Sequence, residues 1–317
     1  MVRILVALFC LVPLLSAEAA SIDELRRLFD YDAKAPLDAK ESWLSERNKV
    51  RLYELNYASP KGGRVTGYLL SPSGEGPYAG IVFGHWGPGN RTEFLPEAQL
   101  FAEAGAVCVL IDYPWTRPAP WRRPLADLDN PEADREAYIQ AVVDLRRAFD
   151  LLSGRADLDP RRLAYIGHSF GAQWGAILSA IEDRVQAAVL AGGIPDLASI
   201  YLESDEPAVV SERQKRKQDV EKYLRVNESL NAVNYVPHAA PTPLLFQFAR
   251  FERYFNEAAM KRYAAAASEP KHVLWYDTGH ELNDIQALTD RAAFLEPKLR
   301  LKPMRPLIEK RLKPALK

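Results

Sequence analysis

The sequence predicts a single α/β domain, in which a mostly parallel sheet of eight strands carries helices on both faces. Three observations lead to this prediction. Apolar, β-rich runs alternate along the chain with segments of helical periodicity. Several of the β-rich runs are apolar at every position, which is typical of strands covered on both faces. No linker splits the 317 residues, so we expect one domain.

Eight segments have the composition of strands. The first two flank Pro-Lys-Gly-Gly at 60–63, which is typical of a hairpin turn. The predicted strands cover residues 51–58, 65–70, 79–83, 106–111, 163–166, 186–191, 244–248 and 272–276.

Five segments between these strands have helical patterns. The longest places its apolar residues along one face, as an amphipathic helix that packs on a sheet does. The predicted helices cover residues 93–104, 134–152, 172–181, 257–267 and 282–294.

Two long segments interrupt the alternation. Residues 114–131 follow the fourth strand, and residues 194–243 separate the sixth strand from the seventh. The second insert contains a highly charged stretch, 211–231, that we predict to be helical and to lie outside the core. Long inserts of this kind are often lids or binding loops. We expect the domain to cover residues 20–297, and residues 298–317 to form a basic, frayed and solvated tail.

Composition excludes several classes of protein. The chain is 48% hydrophobic and 26% charged, as ordinary globular proteins are, and not as disordered, collagen-like or disulfide-rich chains are. With 41 basic and 42 acidic residues, the net charge is −1. This balance argues against a dedicated nucleic-acid binder.

The N-terminus has the pattern of a secretory signal peptide. Arg3 precedes an apolar run over residues 4–15, and Ala17-Glu18-Ala19 places small residues at a cleavage site. The run is short for a membrane span, and the alternative is a retained N-terminal anchor. We therefore expect residues 1–19 to be removed, and the mature protein to be secreted or periplasmic, with no stable membrane span. Its one remaining cysteine, Cys108, allows no internal disulfide and is predicted to be buried.

Gly-His-Ser-Phe-Gly at 167–171 matches the G-x-S-x-G pattern of a nucleophile elbow. The match directly follows a predicted strand and directly precedes a predicted helix, which is the setting that such an elbow requires. Small neighbours fit the strained backbone at the serine, and the helix N-terminus favours a developing negative charge. Ser169 is therefore the candidate nucleophile; the alternative is an ordinary turn with a capping serine.

A serine hydroxyl needs a base to take its proton. Among five histidines, His280 is the candidate, because it follows the last strand at the edge of the sheet where the elbow also lies. A histidine side chain titrates close to neutral pH, which suits this role.

The base needs a carboxylate that fixes its tautomer. Glu252 follows the seventh strand, and the chain order Ser169, Glu252, His280 is the order expected after an elbow of this kind. Asp196, after the sixth strand, is a rival, and Asp277 is a weaker one.

Two backbone N–H groups are candidates for stabilising an oxyanion. One belongs to Phe170, which follows the nucleophile, and the other to Trp86 or Gly87 in the Gly-rich loop after the third strand. Side chains in loops beside the site are candidates for a substrate pocket, although core packing is the alternative for each of them. These candidates are His85, Trp115, Trp174 and Tyr201, together with Trp86 and Trp121.

These residues resemble the α/β-hydrolase fold over about residues 51–294. Finer features resemble the dienelactone-hydrolase-like branch of bacterial esterases: Gly-His-Trp-Gly at 84–87, Ile-Asp-Tyr-Pro at 111–114, Leu-Phe-Gln-Phe at 245–248 and Tyr-Asp-Thr-Gly-His at 276–280. The resemblance implies hydrolysis of an ester or related acyl bond, without a metal or organic cofactor. The chain departs from the family in two places. Dienelactone hydrolases proper use a cysteine nucleophile where this chain has Ser169, and related chains often have glycine and aspartate at Ala249 and Glu252.

The sequence therefore predicts a serine hydrolase that cleaves a small carboxylic ester through an acyl-enzyme, with no metal, no cofactor and no nucleic-acid partner. Two alternatives stay open. One is a secreted peptidase or amidase of the same fold, and the other is a non-catalytic relative that binds a ligand or partner.

Overall fold

A computed structural model describes residues 21–312 of the chain. The predicted signal peptide, residues 1–19, lies outside the described residues. The strands of the described part are β1 (Lys40–Arg47), β2 (Val50–Ala58), β3 (Arg64–Pro72), β4 (Tyr78–Gly84), β5 (Ala106–Ile111), β6 (Leu158–His168), β7 (Val185–Ala191), β8 (Leu244–Phe251) and β9 (Lys271–Gly279).

All these strands belong to one sheet of nine strands, with the order β1-β2-β3-β5-β4-β6-β7-β8-β9. Antiparallel pairing joins β1, β2, β3 and β5, whereas every pair from β5 through β4, β6, β7 and β8 to β9 is parallel. The carboxyl ends of the parallel strands therefore meet at one edge of the sheet, where open α/β sheets bind their ligands.

Helices connect the strands and cover both faces of the sheet. They are α1 (Ile22–Arg27), α2 (Leu95–Glu103), α3 (Pro131–Ser153), α4 (Phe170–Ile181), α5 (Leu197–Tyr201), α6 (Pro207–Lys215), α7 (Lys217–Asn227), α8 (Glu257–Ala266), α9 (Ile285–Leu299) and α10 (Arg305–Leu312).

Strand β5 shows why a continuously apolar run fits this sheet. All six of its residues are buried. Val107 and Val109 pack into the hydrophobic cluster that contains α3 and α4. Cys108 and Leu110 pack into the opposite cluster, which contains α2, α9 and α10. Both faces of the strand are therefore core, as the sequence predicted, and burial raises the pKa of the Cys108 thiol well above its ordinary value.

The prediction of an α/β sheet with helices on both faces is confirmed, and each of the eight predicted strands corresponds to a strand of the structure. The ninth, β1, was missed. Its sequence, Lys-Glu-Ser-Trp-Leu-Ser-Glu-Arg, is exposed at every position and shows no apolar alternation. It forms because its backbone pairs with β2 at the edge of the sheet, and composition carries no signal for such pairing.

The long insert predicted at residues 194–243 lies between β7 and β8 of the structure. It contains α5, α6 and α7, followed by short 3₁₀ turns. Helix α7 packs on α3, where the hydroxyls of Tyr223 and Tyr138 lie 2.8 Å apart. The expectation that residues 211–231 lie outside the core is wrong in part, because Val220, Tyr223 and Leu230 are buried in the cluster that contains α3 and α4. The insert is therefore fixed to the domain beside the carboxyl edge of the sheet.

The expectation of a frayed tail after residue 297 is wrong for the described part of that segment. Helix α9 continues to Leu299, and α10 follows it. Leu299, Met304 and Ile308 are buried in the cluster that contains α2. The backbone N–H of Met304 donates to Glu296 at 2.9 Å. Basic residues dominate this segment, so its composition gave little indication of the few apolar residues that dock α10.

Replacing Ile308 with alanine tests this docking. Ile308 is 3% exposed, so the variant loses buried methyl groups and leaves a cavity. We expect urea denaturation to show a free energy of unfolding lower by roughly 2–4 kcal/mol. Leu312→Ala on the same helix is the control, because Leu312 is 57% exposed, and it should change stability by less than about 0.5 kcal/mol. Equal effects of the two substitutions would contradict a docked α10.

Candidate active site

Ser169 lies on a sharp turn between β6 and α4. Its backbone has φ 56° and ψ −116°, a left-handed conformation that a non-glycine residue adopts only under strain. Only glycine fits at the two flanking positions, because other backbone atoms lie too close to allow a side chain. A Cβ on Gly167 would lie 2.2 Å from the carbonyl oxygen of Gly171, and a Cβ on Gly171 would lie 2.0 Å from that of Gly84. The turn therefore has the geometry that the sequence motif predicts for a nucleophile elbow.

His280 and Glu252 contact each other at the ends of two neighbouring strands. Glu252 follows β8, His280 follows β9, and the distance from His280 Nδ1 to Glu252 Oε2 is 2.6 Å. Both side chains are buried, at 3% and 1% exposure. Glu252 Oε1 also accepts the backbone N–H groups of Arg253 and Tyr254, each at 2.9 Å. The carboxylate is thus held from both oxygens, and it orients the imidazole so that the Nε2 lone pair can take a proton.

The two rival carboxylates lie elsewhere. Asp196 caps helix α5, where its side chain accepts the backbone N–H of Ser199 at 2.7 Å. Asp277 is exposed and pairs with Arg250. Of the three carboxylates considered, Glu252 alone contacts His280 within the described residues.

Ser169 and His280 line one pocket of about 390 Å³. Ser169 is 6% exposed, and between residues 21 and 312 its hydroxyl has no hydrogen-bond partner. The imidazole of His280 packs edge-on against Tyr254, with the ring centroids 4.7 Å apart. Hydrogen bonds from a nucleophile to its base are often long without substrate and shorten when substrate binds. Ser169 and His280 therefore line the same pocket, and Glu252 contacts His280 from outside its lining.

The peptide between Trp86 and Gly87 is held by His85. Nε2 of His85 accepts the backbone N–H of Tyr113 at 3.2 Å, so the ring proton is on Nδ1, which donates to the carbonyl of Trp86 at 2.6 Å. Burial lowers the pKa of His85 to about 3, so the ring is neutral at neutral pH. A trans peptide directs its C=O and N–H in opposite directions. The N–H of Gly87 therefore points away from His85.

Two backbone N–H groups beside Ser169 are available for an oxyanion. Phe170 begins α4, where helix N–H groups have no partner within the helix. Gly87 lies against it, since a Cβ on Gly87 would lie 2.9 Å from the Phe170 ring. In the described part of the chain, neither N–H donates to an acceptor. Trp86, the other donor considered, is excluded, because its N–H donates to Glu93 Oε2 at 2.7 Å.

The pocket is mostly apolar and aromatic. Trp115 and Tyr201 line it, as the sequence predicted, whereas His85 and Trp174 do not. His85 is buried behind the loop, where it contacts the carbonyl of Trp86. Trp174 is fully buried and packs on Tyr138 and Phe170 in the core. Trp86 lines the pocket and is 37% exposed, while Trp121 lies against Gly63, away from the pocket.

Several residues that line the pocket were not predicted from the sequence. Tyr254 and Phe255 line the pocket next to His280, and their position two and three residues after Glu252 was a usable signal. The insert supplies Ile200, Val209 and Tyr223 to the wall. No local motif marks these three, because their proximity depends on how α5, α6 and α7 fold back over the sheet.

Clusters of metal-ligating side chains are not found among residues 21–312. In the same range, no helix is both long and apolar enough to cross a bilayer.

Comparison with known proteins gives matches to solved structures. No protein-family model matches the sequence, and neither does any curated protein. An acetyl xylan esterase from a Paenibacillus species superimposes with a TM-score of 0.72 at 18% identity, covering 87% of this chain and 92% of that one. Acetyl xylan esterase 1 from a Thermoanaerobacterium species gives 0.70 at 14% identity, covering 88% and 93%.

A third match belongs to a different class of hydrolase. A prolyl endopeptidase superimposes with a TM-score of 0.60 at 17% identity, covering 81% of this chain and 40% of that one. At such identities, the likeness shows the fold. The chain has the α/β-hydrolase fold that the sequence resemblance implied.

Proposed function

From the α/β-hydrolase fold of this chain, we propose that it is a serine hydrolase of carboxylic esters. One observation carries the proposal: His280, which is buried and paired with Glu252, lines the same pocket as Ser169, which lies on a strained turn. Ser169 is the nucleophile, His280 the general base and Glu252 the carboxylate that holds it. Two of the similar structures are named acetyl xylan esterases, which supports a carboxylic ester as the substrate.

Acylation begins when Ser169 Oγ attacks the ester carbonyl carbon. Nε2 of His280 takes the hydroxyl proton, and Glu252 stabilises the imidazolium that forms. The tetrahedral intermediate collapses when the C–O bond to the alcohol breaks, and His280 returns the proton to the leaving alkoxide. The products of this step are the free alcohol and an ester of Ser169.

Deacylation repeats the sequence with water. His280 takes a proton from water as the water oxygen attacks the acyl carbon, and the proton then returns to Ser169 Oγ as the bond between Oγ and the acyl carbon breaks. The carboxylic acid leaves, and the enzyme is regenerated. In both steps the N–H groups of Phe170 and Gly87 donate to the negative oxygen, a contribution worth about 10²–10³ in kcat per donor in comparable enzymes.

Replacing Ser169 with alanine removes the nucleophile. We expect kcat for a 4-nitrophenyl ester to fall on the order of 10⁶-fold and labelling by a fluorophosphonate probe to disappear. Ser71→Ala is the matched control, because this serine is equally buried, at 5% exposure, on β3 outside the pocket. Near-normal turnover by Ser169→Ala would contradict the proposal, and a wild-type protein that fails to label would favour a binding protein. Faster turnover of aminoacyl amides than of esters would favour a peptidase.

Replacing Glu252 with glutamine tests the carboxylate. An amide facing Nδ1 keeps the shape but stabilises the wrong tautomer of His280, so we expect kcat to fall on the order of 10⁴-fold. Asp196→Asn and Asp277→Asn are the controls and should stay within about threefold of the wild type. A large loss in Asp196→Asn with none in Glu252→Gln would reassign the acid.

Charge in the pocket predicts which esters are accepted. Among residues 21–312, no lysine or arginine lines the pocket, and the one carboxylate that lines it is that of Asp127. Burial, followed by the negative charge of Asp127, raises the pKa of Tyr201 to about 12, so Tyr201 is neutral at neutral pH and adds no charge. The pocket therefore favours neutral or cationic esters over anionic ones.

A matched pair of substrates measures this preference. We expect kcat/KM for 4-acetoxybenzoate to be about five- to tenfold lower than for its neutral isostere 4-acetoxybenzamide, because Coulomb repulsion in a partly dry pocket has that size. Asp127→Asn should reduce the difference in kcat/KM between the two esters, and high salt should reduce it too. Asp129→Asn is the control, since Asp129 pairs with Arg216 and does not line the pocket. Equal kcat/KM values for the two esters in the wild type would contradict the assignment.

A further inference from the structure

A second histidine–glutamate pair lies beside the proposed catalytic one. His168 is the residue before the nucleophile, and its Nδ1 lies 2.6 Å from Oε1 of Glu93, which precedes α2. The two side chains are 7% and 21% exposed. They line a separate cavity of about 430 Å³, and neither lines the pocket that contains Ser169. They therefore lie outside the reach of a substrate in that pocket.

The pair is bonded to both loops that complete the proposed site. Glu93 Oε2 accepts the backbone N–H of Trp86 at 2.7 Å, in the loop that carries the Gly87 N–H. His168 Nε2 lies 2.8 Å from the carbonyl oxygen of His280. One side chain thus holds the oxyanion loop, and the other holds the backbone of the proposed base.

The hydrogen-bond partners of His168 and Glu93 determine which atoms of the pair donate. A carbonyl oxygen can only accept, so Nε2 of His168 carries a proton and donates it to His280. Nδ1 and Oε1 are 2.6 Å apart, a distance at which two lone pairs repel each other and a shared proton makes a short, strong bond. A single connected chain of hydrogen bonds therefore joins the two loops, from Trp86 through Glu93 and His168 to His280.

We propose that Glu93 and His168 are positioning residues for the reaction, and that they fix the Gly87 N–H and the His280 ring relative to Ser169. The proposal rests on the function proposed above. Trp86 is held at its N–H by Glu93 and at its C=O by His85, so the orientation of the next amide depends on both. Misplacing a reacting group by about 1 Å costs on the order of 10² in rate.

Substitutions at Glu93 distinguish a positioning role in the reaction from a purely structural role in the fold. Alanine removes both acceptors, so we expect kcat to fall about 10- to 100-fold while KM changes less than about threefold, because neither residue touches the pocket. Glutamine should restore most of kcat. Its amide can donate to Nδ1 of His168, and its carbonyl can accept the N–H of Trp86. Urea denaturation of each variant confirms that the folded state is being assayed.

Coupling between the two residues gives a second readout. If the pair acts as one unit, Glu93→Ala, His168→Ala and the double variant should lose similar amounts of kcat, so that the losses do not add. Glu97→Gln is the matched control. This glutamate lies one turn further along, lines the same cavity and pairs with Arg291, and its substitution should leave kcat within about threefold of the wild type.

The outcomes distinguish this proposal from the one on which it rests. Loss of turnover and probe labelling in Ser169→Ala supports the esterase assignment whatever Glu93 does. With that result in hand, a folded Glu93→Ala variant with wild-type kcat would overturn the positioning role. So would a folded Glu93→Gln variant as impaired as Glu93→Ala, because the carboxamide preserves both hydrogen bonds that the proposal requires.

Discussion

The strained turn at Ser169 is the constraint on which the rest of the site depends. A non-glycine residue at φ 56° is sustained only when its surroundings fix it, and here β6, α4 and the end of β4 fix it. The N–H of Ser169 donates to Ala191 in β7 at 2.9 Å. The glycines on either side leave no room for side chains, because backbone atoms of Gly84 and Gly171 already occupy that space. The turn brings the serine hydroxyl and the first N–H groups of α4 to the same pocket.

Parallel strand pairing then supplies the other groups. Because β4, β6, β8 and β9 run in one direction, the residues that follow them meet at one edge of the sheet. His85, His168 and His280 come from three of these strand ends, and polar and packing contacts define the ring orientation of each. His85 holds a peptide, His168 links two loops, and His280 is oriented by Glu252. The three histidines thus have different roles because their hydrogen-bond partners differ.

The sequence was sufficient for the fold and for the groups that lie on motifs or at strand ends. Ser169 follows from a pattern with its strand–turn–helix setting, and His280 and Glu252 from their positions after the last two strands. The docking of α10, the pairing of β1, the contact of Glu93 with His168 and the pocket wall from the insert depend on long-range packing. No local periodicity or motif encodes these features. Trp174 and His85 failed as pocket residues because aromatic composition alone cannot distinguish core from cavity.

A crystal structure of the protein after reaction with a fluorophosphonate would locate every proposed group at once, because the phosphoryl group imitates the tetrahedral intermediate. We expect a covalent bond to Ser169 Oγ and a phosphoryl oxygen within about 3.1 Å of the N–H groups of Phe170 and Gly87. We also expect Nε2 of His280 within about 3.2 Å of Oγ. Attachment to another residue, or a phosphoryl oxygen directed away from both N–H groups, would contradict the proposed function.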